Sequence, residues 1–169
     1  MPWLLRWKSV ASLALQVAVL AALVAAFFVR TPQVSGFSMA PHIASGEFVL
    51  INTIAYRLGS PARNDIIAFR HDGITPEVYI KRVIGLPGDR IRIERGVVYV
   101  NGNRLSESYV QYSDDRSFAE ETVPPNSLYV LGDNRAHSDD SRDWGFVDEG
   151  SVIGKAIAGI WPFGQLGAL

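Results

Sequence analysis

Lys81 and Arg82 stand side by side in the otherwise apolar stretch EVYIKRVIGLPGDRI, Glu77 to Ile91. The stretch reads as a strand that closes on a turn rich in glycine and proline. Side chains alternate along a strand, so adjacent cations face opposite sides. Tyr79, Lys81 and Val83 share one face, and Ile80, Arg82 and Ile84 share the other. Both faces are apolar, so at least one cation is desolvated, and a buried charge must be paired or lose its proton. Arginine keeps its charge, whereas lysine can be neutralised. A neutral lysine is a candidate general base. A candidate nucleophile is Ser38 in VSGFSMAPHI, Val34 to Ile43, held between Phe37 and Met39 with Pro41 stiffening the chain beyond. Gly36 allows a close backbone approach or a positive φ. The plainer reading of Ser38 is a turn serine that bonds its own backbone.

A third polar cluster is GDNRAHSDDSRDWG, Gly132 to Gly145. Asp133, Arg135, Asp139, Asp140, Arg142 and Asp143 would be a solvated loop if they paired only at the surface, where such pairs contribute ~0–1 kcal/mol. Trp144 and the strand-like flanks argue instead that the loop is packed, and packed charges need partners. At this level a Ser-His-Asp triad of Ser38, His137 and one of Asp133, Asp139 or Asp140 stands beside the serine–lysine pair. His137 has the plainer reading of a loop histidine.

The elements that must hold these groups are short. After Pro32 the chain alternates β-rich runs with glycine, proline, asparagine and aspartate, as in GEFVLINTIAY, NDIIAFRH, VYIKRVIG, SLYVLGD and SVIGKAIAGIWPF. IRIERGVVYVNGNRL has the turn signals Arg95-Gly96 and Asn101-Gly102. Ser106 to Glu121 is polar and acidic and reads as a surface loop. The expected fold class is mostly β, an antiparallel domain over 32–169 behind an N-terminal segment, 1–31.

That N-terminal segment carries an apolar run from Val10 to Val29 interrupted only by Ser12 and Gln16. About 20 such residues cross a ~30 Å hydrocarbon core as a helix. Arg6 and Lys8 precede the run, Trp3 and Trp7 suit an interfacial belt, and Arg30 with Thr31-Pro32 follows. The heavier cationic flank places the amino terminus inside and the remainder outside the membrane. A cleaved signal peptide ending near Val24-Ala25-Ala26 is the rival, but the run continues through Phe27, Phe28 and Val29, longer than the usual apolar region of such peptides.

Composition narrows the rest. A net charge of −1 argues against a nucleic-acid partner. The absence of cysteine excludes disulfides and thiolate nucleophiles. His42, His71 and His137 are scattered without ligand spacing, so neither metal nor other cofactor is expected.

Taken in order, SGFSMAP, NDIIAF, YIKRVIGLPGD, GDNRAHSDDSRDWG and the closing GKAIAGIWPFG resemble the bacterial type I signal peptidases, membrane-bound serine proteases. The resemblance implies the family's mostly β catalytic fold on one transmembrane helix. It further implies Ser38 as nucleophile, Lys81 as general base and Ser138 as the hydroxyl that orients the lysine. Asp133, Arg135, Asp140 and Arg142 match bracing ion pairs, and Arg82 looks like a further bracing cation that pairs with a carboxylate of the last motif. Some members carry a serine two residues before the nucleophile to help bind the oxyanion. Here that position is Gly36, so backbone N–H groups are expected to bind it, with Gly36 intolerant of a bulky side chain.

The substrates implied are signal peptides of exported preproteins, cut after small residues at −1 and −3 and bound as an added strand. Phe37, Met39, Pro41, Tyr79, Ile80 and Val83 are expected to line the pockets. The implied location is the plasma or inner membrane, with the bilayer as a second partner. A dedicated maturation peptidase for one secreted substrate, such as a pilin, and a non-catalytic membrane-anchored binding module are the alternatives.

Overall fold

The computed structural model describes residues 2–57, 59–71, 77–161 and 167–168. Among the described residues a long helix, α1 (Pro2–Phe28), leads into twelve strands arranged in two antiparallel sheets. The larger sheet has the order β1 (Val29–Arg30), β2 (Phe48–Asn52), β11 (Val152–Trp161), β3 (Ile66–Arg70), β4 (Val78–Gly85), β9 (Ser127–Leu131) and β10 (Val147–Asp148), with β12 (Gly167–Ala168) beside β11. The smaller has the order β7 (Asn103–Arg104), β6 (Val97–Val100), β5 (Arg90–Glu94) and β8 (Phe118–Thr122).

Alternation along β3 shows why the larger sheet is apolar on both sides. Ile66 and Ala68 pack with Met39, Ile43, Ile51 and Ile80 in one cluster. Ile67 and Phe69 pack with Val83, Leu128 and Val130 in another. A third cluster joins Ile91, Ile93 and Val98 of the smaller sheet to Ile84, Tyr129 and Leu131 at the β4–β9 edge of the larger one. Each such side chain contributes ~1.5–3 kcal/mol when withdrawn from water. These clusters therefore fix β4 firmly, and β4 carries Lys81.

The hairpin turns follow their residue types. Arg95 and Gly96 have φ of 46° and 76°, and Asn101 and Gly102 have 53° and 81°. Two consecutive positive φ values match the right-handed strand twist, which is why Asn-Gly serves there. The stretch read as a polar loop, Ser106 to Glu121, is in part a strand: β8 begins at Phe118 and pairs with β5. Its burial pattern explains the misreading, since only Phe118 turns inward and the rest of the strand faces solvent.

Along α1 the described side chains run from Val10 to Leu23, and the large apolar ones among them are exposed at 50–66%. Among the described residues nothing covers them. Among the described residues no helix is long and apolar enough to cross a membrane. The side chains of Trp3, Arg6, Trp7 and Lys8, and of the rival processing site at Val24 to Ala26, lie outside the described residues.

Candidate active site

Two walls form a groove of about 480 Å³: Pro32–Met39 on one side and Glu77–Lys81 on the other, with His137 and Asp139 completing it. The walls carry Ser38 and Lys81 into contact. Lys81 Nζ donates to Ser38 Oγ at 2.7 Å, although the residues are 43 positions apart. Ser38 is held by the packing of its neighbour: Met39, 2% exposed, is buried in the cluster above β3 and β4. The Ser38 carbonyl accepts from Asn134 N at 2.9 Å, so the third motif grips the Ser38 segment through its backbone.

Lys81 is 4% exposed. Burial drives its ammonium from lysine's usual 10.5 down to about 8, against the opposing pull of the Asp140, Asp139 and Asp133 carboxylates and aided by Arg142. A minor neutral fraction therefore exists at neutral pH and grows as pH rises toward 8, and the free base faces a serine hydroxyl. Arg82, its neighbour, is held as a charge. Its Nε and a terminal nitrogen donate to the two oxygens of Asp133 at 2.8 and 2.6 Å, in a fully buried fork. The expected pairing of Arg82 with the last motif is thus with Asp133.

Asp140 is the hub of that motif. It accepts from Arg142 at 2.7 and 2.8 Å, from Gly132 N at 3.0 Å and from Ser138 Oγ at 2.7 Å. Burial alone would raise its carboxyl, but Arg142 and these donors outweigh that and hold it below the usual carboxylate range. The hydroxyl of Ser138 thus donates its proton to Asp140, which leaves its lone pairs as acceptors. Gly132 shows how tight the junction is. A Cβ there would lie 2.3 Å from Ser138 Oγ and 2.5 Å from the Ser38 carbonyl oxygen.

Of the residues expected to line the pockets, Phe37, Met39, Tyr79 and Ile80 border the groove. Pro41 and Val83 are not among its lining residues; Pro41 is exposed to solvent, and Val83 is fully buried with Ile67 and Phe69. Gly36 has φ of 110°, as its proposed backbone role requires, yet a Cβ there meets nothing within 4 Å. Crowding is therefore not the reason for glycine at that position; backbone conformation is. His137 sits exposed on the groove rim, while Lys81 holds the hydrogen-bonding position against Ser38.

Reading the sequence missed Glu107, Tyr109 and Asp114. Arg135 donates to both oxygens of Glu107, at 2.6 and 3.3 Å, and Arg142 donates to Asp114 at 2.6 Å. The Arg82 guanidinium lies 4.1 Å from the centre of the Tyr109 ring. The motif itself gave no signal for them, because its two arginines, Arg135 and Arg142, stand beside four carboxylates of their own, Asp133, Asp139, Asp140 and Asp143.

Comparison with known proteins identifies the family. The family described as signal peptidase, peptidase S26, matches residues 7–161. A signal peptidase I of Leptolyngbya laminosa is 37% identical over 158 residues, covering 89% of this chain and 78% of the relative. One from Bacillus caldolyticus is 40% identical over 146 residues, 78% of this chain and 79% of the relative. A crystal structure of a signal peptidase I from Enterococcus faecalis superposes with a TM-score of 0.50 at 38% identity, over 57% of this chain and 96% of that one.

Proposed function

The chain belongs to the signal peptidase family, peptidase S26, and from that premise we infer that it removes signal peptides from exported preproteins by serine–lysine chemistry. The observation that carries the reading is the 2.7 Å contact between a desolvated lysine and a serine hydroxyl in an open groove. Neutral Lys81 takes the Ser38 proton as Oγ attacks the carbonyl carbon at the cleavage site. The oxyanion is met by backbone N–H groups, the Ser38 amide among them. Protonated Lys81 then gives its proton to the departing amine, which leaves an acyl-enzyme. Neutral again, it activates the water that hydrolyses the ester and frees Ser38.

Substrate lies extended between the two walls, with small residues at −1 and −3 turned into shallow pockets bordered by Phe37, Met39, Tyr79 and Ile80. Asp133, Asp140, Arg82, Arg135 and Arg142 brace the site without reacting, and Ser138 fixes Asp140. Family membership favours this enzyme over a silent binding module, for which a neutralised lysine against a serine has no use. Residues 1–31 form an anchor and residues 32–169 the catalytic domain on the outer side of the plasma or inner membrane. The uncovered apolar side chains of α1 support that division.

The test is to incubate the detergent-solubilised protein with a preprotein and sequence the new amino terminus. Cleavage after a small residue is expected from the parent, with none from Ser38→Ala or Lys81→Ala. Persistent cleavage by Ser38→Ala overturns the mechanism.

A further inference from the structure

The segment between β7 and β8 crosses behind the third motif and touches each of its buried cations and Arg82. Glu107 clamps Arg135, with side chains 11% and 3% exposed. Arg135 Nε in turn donates to the Gly132 carbonyl at 2.9 Å. Tyr109 donates its hydroxyl to Glu107 at 3.1 Å and presents its ring to Arg82. Tyr112 bridges to Asn134, and its carbonyl accepts from Ala136 N at 3.3 Å. Asp114 binds Arg142 and is itself bound by Arg116, which also reaches Asp143.

The residues gripped are those that touch the reacting pair. Gly132 abuts Ser138 Oγ and the Ser38 carbonyl, Asn134 N bonds that carbonyl, and Arg82 neighbours Lys81 in β4. The smaller sheet anchors both ends of the segment, through Leu105 N bonded to Val98 O and through β8 paired with β5. Its apolar side packs with that sheet through Leu105, Tyr109 and Phe118.

We propose that Glu107, Tyr109 and Asp114 are positioning residues of the reaction: the 105–117 segment is a strap that holds Ser38 and Lys81 at reacting distance. This rests on the peptidase reading above. The strap acts through packing and charge, and it touches no substrate. A strap of this kind differs from ordinary charge compensation in what its loss does. Compensation alone would change only the stability of the fold. A strap that sets geometry changes the turnover of molecules that remain folded, because displacement near 1 Å at a reacting centre costs up to ~10²-fold. It also changes Lys81. A loosened motif admits water, and the lysine then returns toward its ordinary value under the remaining influence of Asp133, Asp139, Asp140 and Arg142.

The experiment uses the full chain in detergent with Glu107→Gln, Tyr109→Leu and the conservative Tyr109→Phe. Preprotein cleavage gives kcat and KM. The chain has only three lysines, Lys8, Lys81 and Lys155, so 13C labelling at lysine Cε follows the titration of Lys81 directly. Circular dichroism identifies the folded variants. Expected for Glu107→Gln and Tyr109→Leu are a kcat lower by about tenfold to a hundredfold, a KM within about twofold, and a Lys81 midpoint displaced upward. Tyr109→Phe keeps the ring on Arg82 and should stay within about twofold of the parent. Should Glu107→Gln fail to fold, the two Tyr109 variants decide. Folded Tyr109→Leu with parental kcat and a parental Lys81 titration overturns the strap, whatever its melting temperature. A parent that cleaves no preprotein overturns the peptidase reading instead, while the Lys81 titration still decides the strap.

Discussion

Lys81 and Arg82 are neighbours in one strand, and their burial has opposite chemical outcomes. Arg82 meets a carboxylate fork and an aromatic face, so its charge is retained. Lys81 meets a hydroxyl and apolar walls, so its charge is suppressed. Lys81→Arg should therefore abolish cleavage, since guanidinium does not deprotonate in a protein. Activity of the parent should rise with pH along a limb centred near the lysine's value of about 8, because only the neutral amine accepts the Ser38 proton. Asp139 provides a sign test. Its carboxylate favours the ammonium form and so raises the Lys81 value. Asp139→Asn should move the limb to lower pH, and a shift to higher pH would contradict the assignment of Lys81 as the base. Measuring kcat/KM against pH for both proteins decides it.

Among the elements, the Gly132–Gly145 loop does more than carry charges. Asp140 caps α2 (Ser141–Trp144) by accepting from Arg142 N at 3.3 Å while the same carboxylate fastens Ser138 and Gly132. A helix of this length forms only when its ends are fixed by such tertiary bonds. The loop and the nucleophile segment then meet with no room at Gly132. Gly132→Ala should lower kcat by about tenfold or more, since its methyl must push aside Ser138 or the Ser38 carbonyl. Preprotein cleavage checks this, with circular dichroism to show that the sheet survives. Unchanged kcat in a folded Gly132→Ala protein would mean that the junction yields freely. The β8 strand lies at the same scale. Its exposed face gives it the composition of a loop, and pairing with β5 makes it a strand.

The described residues form two sheets, a long N-terminal helix and the short α2, and the proposed orientation rests on charges at the ends of the long helix. Arg6 and Lys8 before the apolar run outweigh Arg30 after it. The chain has no cysteine, so single cysteines placed at Ser9 and Ser113 report without interference. An impermeant thiol reagent on intact cells should label position 113 at once and position 9 only after permeabilisation. The reverse pattern would refute an external catalytic domain. The smaller sheet also acquires a purpose at this scale, as the holder of the strap behind the third motif.

Sequence alone determined most of the reactive inventory here. Buried apolar neighbours and the contrast with arginine single out Lys81 as the cation able to lose its charge, and four ordered motifs carry the family resemblance. The turns at Arg95-Gly96 and Asn101-Gly102 and the span of β4 follow equally from local residue types, because short-range sterics decide them. What required the tertiary structure was every relation between distant segments. Ser138 donates to Asp140, Val83 is buried with Ile67 and Phe69 outside the groove lining, and Pro41 lies exposed outside it. Glu107 and Asp114 look like solvated acids in sequence, and only the fold brings them to Arg135 and Arg142. Local pattern records which side chains can be buried or charged. Which charge answers which is settled by long-range packing, where the partners are dozens of residues apart.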